Sequence, residues 1–247
     1  MDEAARPYVR EVAPGVFQIS LDWSNAYLLV DNGVAALIDT GLQRDRPRLL
    51  RAIEAIGLRT EQVHTVLLTH AHCDHAGNAA YFAQSGACVT LHRAEARFLT
   101  RPARSYASSR NVRLRPLSAF AFLLGERLYP VERCTTLPTV VGDGTQINAP
   151  GGPLRVVACP GHTPGHVAYF RERDGLLFSG DAVLNIIPIR RKTGLSLPIR
   201  LLSDHWAEAK QSARRLAALR PTCLLAGHGR PLHHDTADRL QAWSDTL

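Results

Sequence analysis

Along the first forty residues, apolar and polar positions come in short bursts. VFQISL (16–21), NAYLLV (25–30) and AALIDT (35–40) are separated by Asp, Gly and Asn, the punctuation expected between β-strands. The period then lengthens. Leu49, Leu50, Ile53 and Ile56 fall on one helical stripe; Asp45 is placed to cap that helix, Pro47 lies in its first turn and Gly57 ends it. HTVLLTH (64–70) is a continuous apolar run and predicts a buried strand. GNAAYFAQSG (77–86) predicts a short helix closed by Gly86, and CVTLH (88–92) a further strand.

From about 93 to 135 the pattern changes. The segment is rich in arginine, contains Pro102 and Pro116, and carries the apolar run LSAFAFLLG, so it predicts one or two helices inserted into the main fold. Strand signals return in LRVVACP (154–160), VAYFRE (167–172) and LLFSGDA (176–182). Ser203 is placed to cap a last long helix reaching about Leu219, with Trp206, Ala209, Ala213 and Leu216 on one face. CLLAGH (223–228) reads as the final strand. No internal repeat or low-complexity tract interrupts the order. Blocks of strands, each with its helices, predict an α/β protein of two sheets packed face to face with helices outside. The whole chain, 1–247, reads as one domain with a basic helical insertion over about 93–135.

Composition refines this picture in three ways. Of 247 residues, 45% are hydrophobic and 21% charged, ordinary values for a globular enzyme. The opening MDEAARPYVR holds no apolar core of a signal peptide, and no run approaches a membrane span, so a cytoplasmic location is expected. The five cysteines are odd in number and scattered without a CxxC, which argues against a disulfide framework and for reduced, mostly buried thiols.

The net charge of +7 is unevenly spread. Between Arg93 and Arg133 nine arginines face three glutamates, whereas the rest of the chain holds twenty basic and nineteen acidic residues. The excess therefore belongs to the insertion. It is too modest to make nucleic acid an expected partner.

The densest chemistry is THAHCDHAG (69–77), three histidines and an aspartate within six residues. In an extended segment His70 and His72 point the same way and can reach one metal ion. Asp74 and His75 follow where the chain turns into a helix and can serve a neighbouring point. Imidazole and carboxylate donors suit zinc and similar borderline cations. One loop cannot complete two coordination shells. The remaining candidates are His162 in CPGHTPGH, Asp181 in FSGDA and His228 in LAGHG, each after an apolar run and beside glycine. The other histidines, His64, His92, His205, His233 and His234, read as ordinary surface or satisfied side chains, and Cys73 as a buried neutral thiol.

LIDTG, THAHCDHAG, GHTPGH, SGDA and AGHG, in that order from Asp39 to His228, resemble the metallo-β-lactamase superfamily. The resemblance implies a four-layer αβ/βα sandwich with a dinuclear site at one edge. It implies that His70, His72 and His162 hold one metal, that Asp74, His75 and His228 hold the other, and that Asp181 bridges them. Two divalent ions are implied, zinc first, with iron or manganese as alternatives. At roughly 3.5–4 Å apart, two such metals share a hydroxide and polarise the electrophile. Asp74 would orient that hydroxide and shuttle its proton as the catalytic residue. Asp39 would support the metal loop by hydrogen bonds. Thr69 and Thr163 are further candidates for that support, and His166 either supports a ligand or fixes its turn.

The rim is read from charge and apolarity. Arg190, Arg191 and Lys192 follow Asp181 and are candidates for drawing in an anionic substrate. Phe120, Phe122 and Leu123 of the insertion are candidates for contact with an acyl chain. Other readings of the insertion are a stabilising cap, a homodimer contact or a membrane-surface contact.

GHTPGH and the His–Asp–His tail look most like the glyoxalase II and lactonase branches, which hydrolyse thioesters or lactones. Nineteen residues follow His228, too few for the glutathione-binding helical domain of glyoxalase II, and Ala182–Asn185 lack the tyrosine of the acyl-homoserine-lactone lactonases. The expectation is a dinuclear metal-dependent hydrolase of a small ester, thioester or lactone substrate, anionic or acyl-bearing. The alternatives are a mononuclear iron persulfide dioxygenase and a metal-retaining ligand-binding or regulatory protein with little turnover.

Overall fold

The computed structural model describes residues 8–100, 115–188, 190 and 192–247. The first sheet has seven strands in chain order: β1 (Val9–Ala13), β2 (Val16–Ser20), β3 (Asn25–Asp31), β4 (Val34–Ile38), β5 (Val63–Leu67), β6 (Cys88–His92) and β7 (Thr139–Val141). Neighbours from β1 to β4 are antiparallel because tight turns join them. Asn32 and Gly33, at φ +48° and +75°, link Asp31 to its cross-strand partner Val34 with two residues, a turn whose positive φ values match the twist of the strands. From β4 to β7 the pairing is parallel. Each step therefore needs a crossover: α1 (Arg46–Ala55), then α2 (Cys73–Ala76) with α3 (Ala79–Gln84), then α4 (Arg93–Thr100) and α5 (Arg115–Leu128).

The second sheet comprises β8 (Gln146–Ile147), β9 (Leu154–Ala158), β10 (Val167–Arg171), β11 (Leu176–Gly180) and β12 (Cys223–Ala226), ordered β12-β11-β10-β9-β8. Its parallel pair, β11 and β12, is joined through α6 (Trp206–Ala217), and α7 (Thr236–Ser244) follows β12.

Successive side chains of a strand point to opposite faces, and here both faces are covered. Tyr27, Leu29 and Ile38 meet Val156, Tyr169 and Phe178 between the sheets, whereas Leu28 and Leu37 face the other way onto Leu49, Ile53 and Phe82. Tyr27 and Phe178 meet edge-on at 5.4 Å. Outside the second sheet, Ala213, Leu216 and Leu240 cover Val157, Leu177 and Leu224. The result is the four-layer αβ/βα sandwich. Two buried tyrosines latch the sheets reciprocally at one edge: Tyr27 on the first sheet donates to Ala226 O at 2.7 Å, and Tyr169 on the second donates to Leu68 O at 2.8 Å.

Several local expectations are corrected. Ser203 does not cap α6; His205 does, its Nδ1 accepting from Glu208 N at 3.3 Å, and the helix stops at Ala217 rather than near Leu219. The Asp45 carboxylate accepts from Leu42 N (3.0 Å) and Asp22 N (3.3 Å), capping the turn before α1 instead of α1 itself. Strands β1, β7 and β8 and helix α7 add to the elements expected from the sequence. The insertion contributes two helices among the described residues, as its pattern suggests.

Candidate metal site

The loops leaving β4, β5, β9, β11 and β12 meet at the latched edge. Asp39, just past β4, adopts φ +56°, a left-handed conformation that costs a non-glycine residue about 1–3 kcal/mol. Its contacts explain why the strain is held. Oδ1 accepts from Thr69 N at 2.9 Å; Oδ2 accepts from Thr69 Oγ1 and His75 Nδ1, both at 2.8 Å. One buried carboxylate thus fixes both ends of the loop that carries His70, His72, Asp74 and His75.

The outer nitrogens of four rings, His70, His75, His162 and His228, are spoken for. Thr69 Oγ1 donates to Asp39, so it accepts from His70 Nδ1 at 3.0 Å. Ser203 Oγ donates to Ile199 O, so it accepts from His162 Nδ1 at 3.5 Å. His228 Nδ1 donates to Trp23 O, and His75 Nδ1 to Asp39. Each partner fixes a tautomer and leaves Nε2 with a lone pair facing inward. His72, in extended backbone before α2, presents Nδ1.

These nitrogens converge. His72 Nδ1 lies 3.0 Å from His70 Nε2 and 2.9 Å from His162 Nε2, and His75 Nε2 lies 3.4 Å from His228 Nε2. Asp74 Oδ2 is 3.5 Å from His228 Nε2 and 3.8 Å from His75 Nε2. Asp181 stands between the groups: Oδ2 is 3.2 Å from His228 Nε2 and 3.5 Å from His162 Nε2, and Oδ1 is 3.3 Å from His75 Nε2 without hydrogen-bond geometry. Among the described residues three triads could each hold an ion: His70, His72 and His162; His70, His75 and Asp181; Asp74, His75 and His228. Lone pairs crowded this closely repel unless a cation lies among them. The donor set fits divalent metal. Gly227 permits the approach, since a Cβ there would collide with Asp181 Oδ1 and the His75 ring.

Charge divides the site. Burial holds His70 and His162 well below the usual histidine range and brings His72 down to about 4, so these three stay neutral. Burial also opposes charge on His75 and His228, but Asp181 and Asp74 outweigh it and raise both. Burial would raise Asp181 as well, yet His228 and His75 hold it well below the ordinary carboxylate range.

His166 is not among the converging rings. Its Nε2 accepts from Asp181 N at 2.9 Å and its Nδ1 meets Cys159 Sγ at 3.1 Å, so it orients the Asp181 backbone; burial lowers it to about 3. Thr163 Oγ1 is buried without a hydrogen-bond partner among the described residues, and the Thr163 carbonyl closes the turn by accepting from Gly161 N at 3.1 Å. Burial pushes the Cys73 thiol up to about 12.

On the rim, Arg190 and Lys192 are exposed in a loop joined to the His228 strand end, Asn185 N donating to His228 O at 3.2 Å. Arg191 and the Phe122 and Leu123 side chains lie outside the described residues. Phe120 is 64% exposed on α5, which lies against the Arg200–Leu202 turn just before Ser203.

Four supporting residues escape the sequence reading. Trp23 O and Ser203 Oγ orient histidines, and Ser24 Oγ donates to Asp74 O. Glu95, fully buried on α4, accepts from Ala71 N at 3.1 Å and Gly165 N at 2.8 Å, tying the first histidine loop to the second. Its segment, RAEARFLT, carries no sequence signal that marks it out.

Comparison with known proteins agrees with this geometry. A family model described as the metallo-beta-lactamase superfamily matches residues 22–228. The Bacillus subtilis protein YybB, named a probable metallo-hydrolase, is 26% identical over 90% of each chain. A hydroxyacylglutathione hydrolase of Cereibacter sphaeroides is 30% identical over 82% of this chain, which spans 61% of that protein. A solved metallo-beta-lactamase family protein of Thermus thermophilus is 29% identical and superposes with a TM-score of 0.73 over 96% of this chain and 80% of its own. With its candidate metal loops inside the matched span and its two sheets in the same architecture, the chain belongs to the metallo-beta-lactamase superfamily, as a hydrolase.

Proposed function

We propose that the protein is a dinuclear metal-dependent hydrolase of small ester, thioester or lactone bonds. One observation carries the reading: the Asp181 carboxylate reaches ring nitrogens on both sides of the cluster, His162 on one and His75 and His228 on the other. His70, His72 and His162 would hold one ion, Asp74, His75 and His228 the second, and Asp181 both. Zinc suits this set best, and iron or manganese could occupy it. Bound divalent metal supplies Lewis acidity and lowers the pKa of water at the site.

The chain's own groups do the rest. Asp74 Oδ2 takes the proton of the attacking water and returns it to the leaving group. Ser24, bonded to the Asp74 carbonyl, holds that residue in place. Asp39, Thr69, Ser203 and Trp23 keep the four Nε2 atoms turned inward. The hydroxyacylglutathione hydrolases among the relatives make a thioester a natural member of the substrate panel. The test is Asp74→Asn assayed on ester, thioester and lactone substrates with metal content measured alongside. Turnover should fall at least about 100-fold with metal retained. Undiminished hydrolysis in a metal-loaded variant overturns the role of Asp74.

A further inference from the structure

We propose that a cavity beside the His228 side of the site binds a carboxylate carried by the substrate. The inference rests on the hydrolase reading and names the class of substrate: an ester or thioester whose acyl portion ends in an anion. The cavity has a volume of about 640 Å³, and its walls include Tyr8, Arg10, Gln18, Trp23, Gly229 and Arg230. It adjoins the reacting centre through the chain itself. Gly229 and Arg230 directly follow His228, and the Trp23 carbonyl accepts from His228 Nδ1. Ser24, also in the wall, donates to the carbonyl of Asp74.

Two exposed arginines, Arg10 and Arg230, line this space on pinned backbone. Arg10 pairs with Gln18 across β1 and β2, and Gln18 Nε2 reaches Gly229 O at 3.4 Å. The Arg230 carbonyl accepts from Asn185 Nδ2 at 2.7 Å. Neither Arg10 nor Arg230 pairs with a carboxylate among the described residues, and the described lining contains none. The contrast lies just behind the wall, where Arg44 and Arg48 both pair with Asp22, at 3.2 and 2.9 Å.

The aromatic parts of the wall are braced. Trp23 meets Tyr129 edge-on at 4.5 Å, with Arg44 5.5 Å from its ring, and Arg48 lies 4.5 Å from the Tyr8 ring. Ring faces beside two cations give a methylene chain an apolar track and lower the local dielectric at the anion. A carboxylate is the complementary group, because a guanidinium offers it paired donors.

The probes are mono(4-nitrophenyl) glutarate and its neutral counterpart 4-nitrophenyl pentanoate. The readout is the ratio of kcat/KM for the anionic over the neutral ester in wild type, Arg10→Gln, Arg230→Gln and the double variant. Metal content and melting midpoint are matched across the set. Each substitution should lower the ratio about tenfold, mainly through KM on the anionic ester. A ratio unchanged within about twofold in the double variant overturns the proposal. Calorimetric titration with glutarate is the second readout and should give at least tenfold weaker binding to the double variant. If the wild type hydrolyses neither ester, the hydrolase reading fails by itself, and the glutarate titration still decides the cavity: equal binding to wild type and double variant refutes it.

Discussion

Asp39 is the residue on which most of the site leans. It accepts three hydrogen bonds while held at a positive φ, so removing its carboxylate leaves Thr69 N, Thr69 Oγ1 and His75 Nδ1 unsatisfied in a dry interior. Asp39→Ala should lower the free energy of unfolding by about 2–4 kcal/mol in urea titration and weaken metal retention; a variant as stable as wild type with full metal content would contradict this. The cysteines give a second test. Cys88 is exposed, whereas burial pushes Cys134 up to about 11 and Cys223 up to about 12. Iodoacetamide labelling read by mass spectrometry should therefore modify Cys88 first, with Cys134 and Cys223 following only as pH is raised. The convergent residues are legible in the sequence because His70, His72, Asp74 and His75 crowd into one short stretch after an apolar strand, and His162, Asp181 and His228 each follow an apolar run beside glycine. Trp23 and Ser24 are not, because one acts through its carbonyl and the other on a carbonyl, and backbone groups leave no mark on residue type.

At the scale of elements, α4 does more than begin an insertion. Its Glu95 joins the loop after β5 to the loop after β9, and nothing in RAEARFLT distinguishes that glutamate from a solvated helix charge. Glu95→Ala should lower the melting midpoint, at a cost of about 1–3 kcal/mol for each stranded N–H, and loosen metal binding measured by competition with a chromophoric chelator. Glu95→Gln, which keeps an acceptor, should recover part of both; equal losses in the two variants would argue against the clamp. The strongly periodic segments, β2 to β6, β9 to β12 and α1, are readable from pattern. Strands β7 and β8 have three and two residues, too short to show a period, and α7 carries few apolar positions beyond Leu240 and Trp243. Ser203 does not cap α6 because the helix begins at Trp206, which puts His205 at the cap position, two residues further on.

At the scale of the molecule, the two sheets bring together loops separated by more than 150 residues in the chain, and the carbonyls that accept the two tyrosine latches, Leu68 and Ala226, lie two residues before His70 and His228. Tyr27→Phe or Tyr169→Phe should leave the core packed and remove one hydrogen bond at the site edge, Ala226 O keeping its bond from Asn25 Nδ2 in the first and Leu68 O losing its tyrosine donor in the second. Each should cost about 1 kcal/mol in unfolding and raise KM or weaken metal binding; loss of stability alone, with metal affinity and kinetics unchanged, would confine the latches to holding the sheets. The order of motifs makes the sandwich legible from sequence, since each loop is announced separately, whereas the pairing of sheets through tyrosines is a long-range fact that no local pattern carries. The central claim, that this edge holds two divalent ions for hydrolysis, is tested most directly by metal analysis of protein purified without added metal. About two zinc ions per chain are expected. About one iron per chain, with oxygen consumed on a persulfide substrate, would contradict it.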